Sequence, residues 1–184
     1  MKFVLLSAVM DKILYKKIKK NKCLLKLGDK SIIENTILAV RKTKIEDISI
    51  VVGFKSEKIK LHLKKYNKIE YILNKKYNSR EMLYSLMLAL KKYNTDIIFG
   101  YSDIIISKKV LKKIIDANKS NITIPILSNW KKIWKIRNKN PYEDAETLFI
   151  KKNMKLHSIG KQISSLKDVK YQFMGLIYIP KSKR

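Results

Sequence analysis

The stretch 95-TDIIFGYSDIIIS-107 decides the fold. An apolar run of strand length, Thr95–Gly100, stops at 100-GYSD-103, and a helix is expected to follow from Ser107. Asp103 therefore falls just past the carboxyl end of a strand, the edge of an open α/β sheet at which ligands bind. Taken alone, such an aspartate more often caps the turn it sits in.

Outward from this stretch the same alternation repeats. Lys2–Ala8 is a continuous apolar strand, and Ser31-Ile-Ile-Glu34 is a capping box that opens a helix running to about Lys42. Asp47–Gly53 reads as a buried strand, Ser56–Tyr66 as a helix, Ile69–Leu73 as a strand and Ser79–Tyr93 as a longer helix. In that last helix Met82, Leu83, Leu86, Met87 and Leu90 form one apolar stripe, expected to lie in the core. Ser107–Asn118 is a further helix. Strands alternating with helices specify an α/β fold, a three-layer sandwich around a mostly parallel sheet. The last third changes character: Asn121–Leu127, Thr147–Lys151, Lys155–Ile159 and Gln172–Ile179 are short strands of a small mixed β extension. No Gly/Ser/Pro linker divides the 184 residues, so one domain over 1–184 is expected.

Forty-two Lys and Arg against 15 Asp and Glu give a formal charge of +27. A basic surface gains affinity for phosphate backbones by counterion release, which keeps a nucleic-acid-binding protein among the alternatives. Only Arg41, Arg80, Arg137 and Arg184 are arginine, however, and the lysines are spread along the whole chain, as on a solvated surface. Cys23 stands alone, which fits a reducing, cytoplasmic setting. The start, MKFVLLSAVM, reads as a buried strand and not a secretion signal, and no apolar run reaches membrane-spanning length.

His62 and His157 are too few for a histidine-rich zinc site, and Cys23 has no CxxC partner. A serine-nucleophile elbow and a P-loop are both absent. What the chain does offer is Asp103 at a strand edge, three acids within 140-NPYEDAETLF-149 (Glu143, Asp144, Glu146), and lysines near the first strand. These are the parts of a Mg²⁺-dependent phosphoryl or nucleotidyl transfer site, because Mg²⁺ takes one or two carboxylates plus substrate phosphates and lysine offsets charge developing at phosphorus. In 130-WKKIWKIRNKNPYEDAE-146 the residues Trp130, Trp134 and Arg137 share one helical face, either as a cover for the sheet or as part of a site with Asp144 and Glu146.

The ordered series 22-KCLLKLGDKSIIENTI-37, 51-VVGFKSEKI-59, 74-NKKYNSREMLYSL-86, 97-IIFGYSDIIIS-107, the Trp130…Asp144-Ala-Glu-Thr segment and 172-QFMGLIYIP-180 resembles the sugar-nucleotide-type nucleotidyltransferases. Within them it is most similar to the cytidylyltransferases acting on phosphocholine-like or capsule-precursor phosphates. The resemblance implies a Rossmann-like domain that transfers a nucleoside monophosphate, with CTP as the expected donor, to a small phosphorylated acceptor and releases pyrophosphate. It further implies a place in capsule, lipopolysaccharide or phospholipid-headgroup precursor synthesis. Lys22 and Asp103 would be the catalytic pair, with Asp103 and Glu146 holding Mg²⁺. Ser7, Ala8, Lys12, Lys22, Asn74, Tyr77 and Ser102 would bind the nucleotide; Trp130, Arg137, Asp144 and Glu146 would bind the acceptor.

Two departures from that pattern stand out. The family carries a glycine-rich turn after its first strand, whereas 6-LSAVMDKIL-14 has Val9 and Asp11 at glycine positions and Ile13 at an arginine position. Side chains at positions needing positive φ are costly, and Asp11 is expected to repel phosphate. The family also continues beyond the strand matching Gln172–Ile179 with another metal-binding aspartate, so a C-terminal truncation is expected, with Asp144 or Glu146 filling that role. A catalytically impaired relative that still binds nucleotide is the alternative these departures raise.

Overall fold

The computed structural model describes residues 1–78, 82–117, 120–137, 139–140, 142, 145–161 and 169–184. In chain order the elements are β1 (Lys2–Ser7), α1 (Lys12–Ile18), β2 (Lys26–Leu27), β3 (Lys30–Ser31), α2 (Ile32–Arg41), β4 (Ile48–Val52), α3 (Ser56–Leu63), β5 (Ile69–Leu73), α4 (Met82–Lys92), β6 (Ile97–Tyr101) and α5 (Lys108–Asp116). They continue with β7 (Ile126–Leu127), α6 (Trp130–Arg137), β8 (Leu148–Ile150), β9 (Leu156–Ile159), β10 (Gln172–Phe173) and β11 (Leu176–Ile179). The chain forms two compact units, Met1–Thr123 with Gly175–Arg184, and Ile124–Met174.

The first unit holds a five-stranded sheet in the order β11-β6-β1-β4-β5. All neighbours are parallel except β11, which runs antiparallel along β6. Alternation along the strands feeds two cores. Phe3, Leu5, Ile50, Val52, Ile98 and Tyr178 face the layer containing Ile33 and Ile37 of α2, Ile59 of α3 and Leu111 of α5. Val4, Val51, Ile97 and Phe99 face the layer containing Ala89 of α4. The expected α/β sandwich with a mostly parallel sheet is thus the observed one.

Local chemistry sets the helix starts. Ser31 accepts from the Glu34 N–H while the Glu34 carboxylate accepts from the Ser31 N–H, so the capping box is complete. Buried Glu34 also takes bonds from His62 at 2.9 Å, Tyr66 at 3.0 Å and Lys65 at 2.7 Å, which ties α2 to α3 and the turn after it. Ser107 caps α5 through the Val110 N–H.

Two elements went unforeseen. Helix α1 lies in what reads as a charged run, and its start is marked by Asp11, whose carboxylate accepts from the Leu14 N–H. The β2–β3 hairpin turns at Gly28, at φ +64°. The apolar stripe of α4 also needs correction. Its buried positions are Ser85 and Ala89, while Met82 and Leu83 are 39% and 64% exposed. The small residues let the helix approach the sheet, and the large ones at its start are left outside.

In the second unit β7 pairs antiparallel with β10, and β8 with β9. The strand expected over Asn121–Leu127 is only β7 at its end, and Gln172–Ile179 is broken into β10 and β11 at Gly175, φ +72°. Trp130 of α6 is fully buried and donates its indole N–H to the Val169 carbonyl. Trp134 and Tyr142 pack edge-on against it at 6.0 and 5.9 Å, and the Arg137 guanidinium lies over Trp134 at 4.8 Å. Among the described residues no helix is long and apolar enough to cross a membrane.

Candidate active site

In the first unit, the carboxyl ends of β1 and β6 open onto a cavity of about 590 Å³. Its floor follows from the parallel register. β1 ends in buried Ser7, with buried Ala8 next to it, and the Ser102 N–H reaches across from the end of β6 to the Leu6 carbonyl at 3.3 Å. The chain leaving β4 is pinned against the same edge, where the Phe54 N–H donates to the Ala8 carbonyl at 2.9 Å. Gly53 permits that approach, since a Cβ there would sit 2.6 Å from Tyr77 Cβ and 2.9 Å from the Ala8 oxygen. The φ of Gly53 is ordinary, so the requirement is purely one of space.

Lys22 enters on a short 3₁₀ turn, Lys22–Leu24. Cys23 is its buried anchor: the thiol lies 3.3 Å from the Ser7 hydroxyl, and burial pushes its pKa up to about 11. With Cys23 turned inward, Lys22 faces the cavity. Its Nζ lies 2.6 Å from Asp11 Oδ2 and 3.7 Å from Asp103 Oδ2, so one ammonium joins the loop after β1 to the loop after β6. The hydrogen bond from Lys22, followed by that from the Leu14 N–H, lowers the pKa of Asp11, and the Asp11 bond in turn raises that of Lys22.

Of the residues expected to bind nucleotide, Ser7, Ala8, Lys22 and Ser102 line this one cavity, together with Asp103, expected to be catalytic and to hold Mg²⁺. Asn74 does not: it is fully buried, its amide donating to the Ser85 hydroxyl at 2.9 Å and its carbonyl accepting from the Lys76 N–H at 2.8 Å. It fixes the turn after β5 and meets the cavity only through Ser85, which does line it. Tyr77 packs beside Gly53 and Phe54, and Lys12 points outward from α1. Met82 and Leu83, expected in the core, are cavity wall instead, together with Tyr15, Lys20, Asn21 and Phe54. The Tyr15–Phe54 pair at 4.9 Å is an aromatic wall that neither separate stretch of sequence announces.

The glycine-loop objection also needs correction. Asp11 is extended at φ −77°, and Val9 is not among the positive-φ residues, so no backbone strain arises at either. Asp11 carries its own counter-charge in Lys22.

The remaining expected residues belong to the second unit. Trp130 is interior there and packs within that unit. Glu146 has backbone bonds to the Gln172 amide, and its carboxylate lies beside Gly160. Asp144, with Glu143, lies outside the described residues. Among the described residues no group of three or more His, Cys, Asp or Glu converges as a metal cluster.

A cavity-facing lysine, an acid at the sheet's carboxyl edge and a concave floor thus lie together at the edge of a mostly parallel sheet where ligands bind in open α/β folds. The chain matches the MobA-like NTP transferase domain over residues 16–150 and belongs to that family; the match begins downstream of the altered loop. It is 30% identical over 161 residues to the CTP:phosphoglutamine cytidylyltransferase of Campylobacter jejuni subsp. jejuni serotype O:2, covering 84% of this chain and 63% of that relative's length. Similar folds include the inositol-1-phosphate CTP transferase from T. maritima (TM-score 0.74, 17% identity, covering 98% of this chain and 71% of that one). Another is a putative glucose-1-phosphate thymidylyltransferase from Bacillus anthracis (TM-score 0.76, 17% identity, covering 99% and 72%).

Proposed function

We propose that this chain is a Mg²⁺-dependent cytidylyltransferase. A phosphate oxygen of a small phosphorylated acceptor attacks the α-phosphorus of CTP, the new P–O bond forms as the α–β bridging P–O bond breaks, and pyrophosphate leaves. The observation that carries this reading is the meeting of Lys22 and Asp103 in one cavity at the sheet's carboxyl edge.

Each residue then has a task. The Lys22 ammonium is a fixed positive charge for the oxygens on which negative charge builds during transfer. Asp103 presents hard carboxylate oxygens, part-exposed at the cavity, which fits a Mg²⁺ ligand. Bound there, Mg²⁺ supplies the neutralisation of the triphosphate that the protein lacks, because Lys20 and Lys22 in the lining are balanced by Asp11 and Asp103. The floor at Ser7, Ala8 and Ser102 seats the nucleotide. The likeness to a CTP:phosphoglutamine cytidylyltransferase puts phosphoglutamine first among acceptors. A cytoplasmic setting, where CTP is made and Cys23 stays reduced, completes the proposal.

The test is pyrophosphate release from CTP and Mg²⁺ with phosphoglutamine, inositol 1-phosphate and sugar 1-phosphates, and an Asp103→Asn control. Release that depends on one acceptor and is lost in the control is the expected result. No release with any acceptor, joined to no Mg²⁺–CTP binding by calorimetry, overturns the reading.

A further inference from the structure

Asp11 stands where the sequence comparison placed a liability, yet both of its carboxylate oxygens are engaged. Oδ1 accepts from the Leu14 N–H at 2.8 Å, which caps α1, and Oδ2 holds Lys22 Nζ at 2.6 Å. A carboxylate fixed at one oxygen by backbone is a rigid seat for whatever its other oxygen binds. Lys22 is in turn the group that lies 3.7 Å from Asp103.

We propose that Asp11 is a positioning residue for Lys22: it replaces the missing glycine-loop geometry by holding the ammonium at the cavity wall, beside Asp103, before nucleotide arrives. This inference rests on the transfer reading given above.

The physical case has three parts. A lysine on a four-carbon stem loses rotamer freedom when it is ordered against a phosphate, and a partner that orders it in the free protein meets that cost in advance. Protein kinases use the same device, a glutamate that places the phosphate-contacting lysine. The alternative, that Asp11 simply repels phosphate, is weakened by its pairing, since the Asp11–Lys22 unit is neutral as a whole and leaves further ammonium N–H donors for a ligand. A cap alone would also not explain why the second oxygen is spent on the lysine that lies 3.7 Å from Asp103.

Asp11→Asn separates these roles, because asparagine is as good an N-cap as aspartate but carries no charge. It is compared with the parent and with Lys22→Ala, on the full chain, by thermal midpoint, Mg²⁺–CTP affinity and steady-state pyrophosphate release. The expected result is a midpoint within about 2 °C of the parent and a kcat lowered about 10- to 100-fold. The KM for CTP should move less than about threefold, since misplacement costs the transition state more than ground-state binding. An unchanged or raised kcat overturns the proposal and leaves Asp11 as a cap or a repulsive charge. If Lys22→Ala itself retains full turnover, the fault lies in the transfer reading and not with Asp11 alone.

Discussion

Lys22 and Asp103 meet across the carboxyl edge of the sheet, Nζ to Oδ2 3.7 Å, one carried on a 3₁₀ turn and the other on the loop after β6. Their contact does not stabilise the fold much, because both side chains are more than a third exposed. Lys22→Ala should therefore leave the melting temperature nearly unchanged while lowering kcat/KM for CTP about 10²- to 10³-fold. Pyrophosphate-release kinetics beside a thermal melt check both halves.

Metal removal gives a second expectation. With two lysines facing two aspartates, the cavity lining has no surplus charge to hold a triphosphate, despite the +27 of the whole chain. Chelation with EDTA should weaken CTP binding by at least about tenfold in calorimetry, and Mg²⁺ should restore it.

Glu34 sets an acid limit on stability. Burial acts to raise its pKa, but Lys65, the Ser31 N–H and hydroxyl and His62 together overcome burial and hold it well below the ordinary 4.5. A depressed carboxylate contributes stability that is complete above its unfolded value and lost as pH falls through the folded one. Denaturant melts should show stability falling below pH 4.5, and falling less steeply in Glu34→Gln. At neutral pH that variant should be about 2 kcal/mol less stable than the parent.

Asn74 offers a test of structural against binding roles. Asn74→Ala removes the bonds to the Lys76 N–H and to the buried Ser85 hydroxyl, so a loss of about 1–3 kcal/mol in urea denaturation is expected. A direct nucleotide contact would instead leave stability intact and raise KM alone.

Cys23 should be nearly inert in the folded protein. Burial keeps its thiol protonated at neutral pH, with a pKa near 11, so reaction with a disulfide reagent should follow unfolding and accelerate in denaturant. Fast labelling of the native chain would contradict its placement under Lys22.

Much of this architecture is local and could be read directly. The strand periodicity of Lys2–Ser7, Ile48–Val52 and Ile69–Leu73 and the capping box at Ser31 are decided by neighbouring side chains and backbone donors within a few residues. The resemblance likewise singled out Lys22 and Asp103, which the fold brings to one cavity. Helix α1 escaped because its apolar face is poor and no residue in it is buried, leaving only the Asp11 cap as a signal. Trp130 and Arg137 were correctly placed on one helix face, but a shared face does not say which side chain is interior.

The amino-acid order by itself determined the alternation of strands and helices, the apolar faces that must be covered, and the acid at a strand's end, because each rests on spacing along the chain. Only the tertiary structure decided that Asp11 is paired with Lys22, that Asn74 is interior, and that Met82 and Leu83 form cavity wall. Those outcomes depend on which distant groups occupy the same few ångströms, and packing of the sheet with its helices and loops fixes that where local preference cannot.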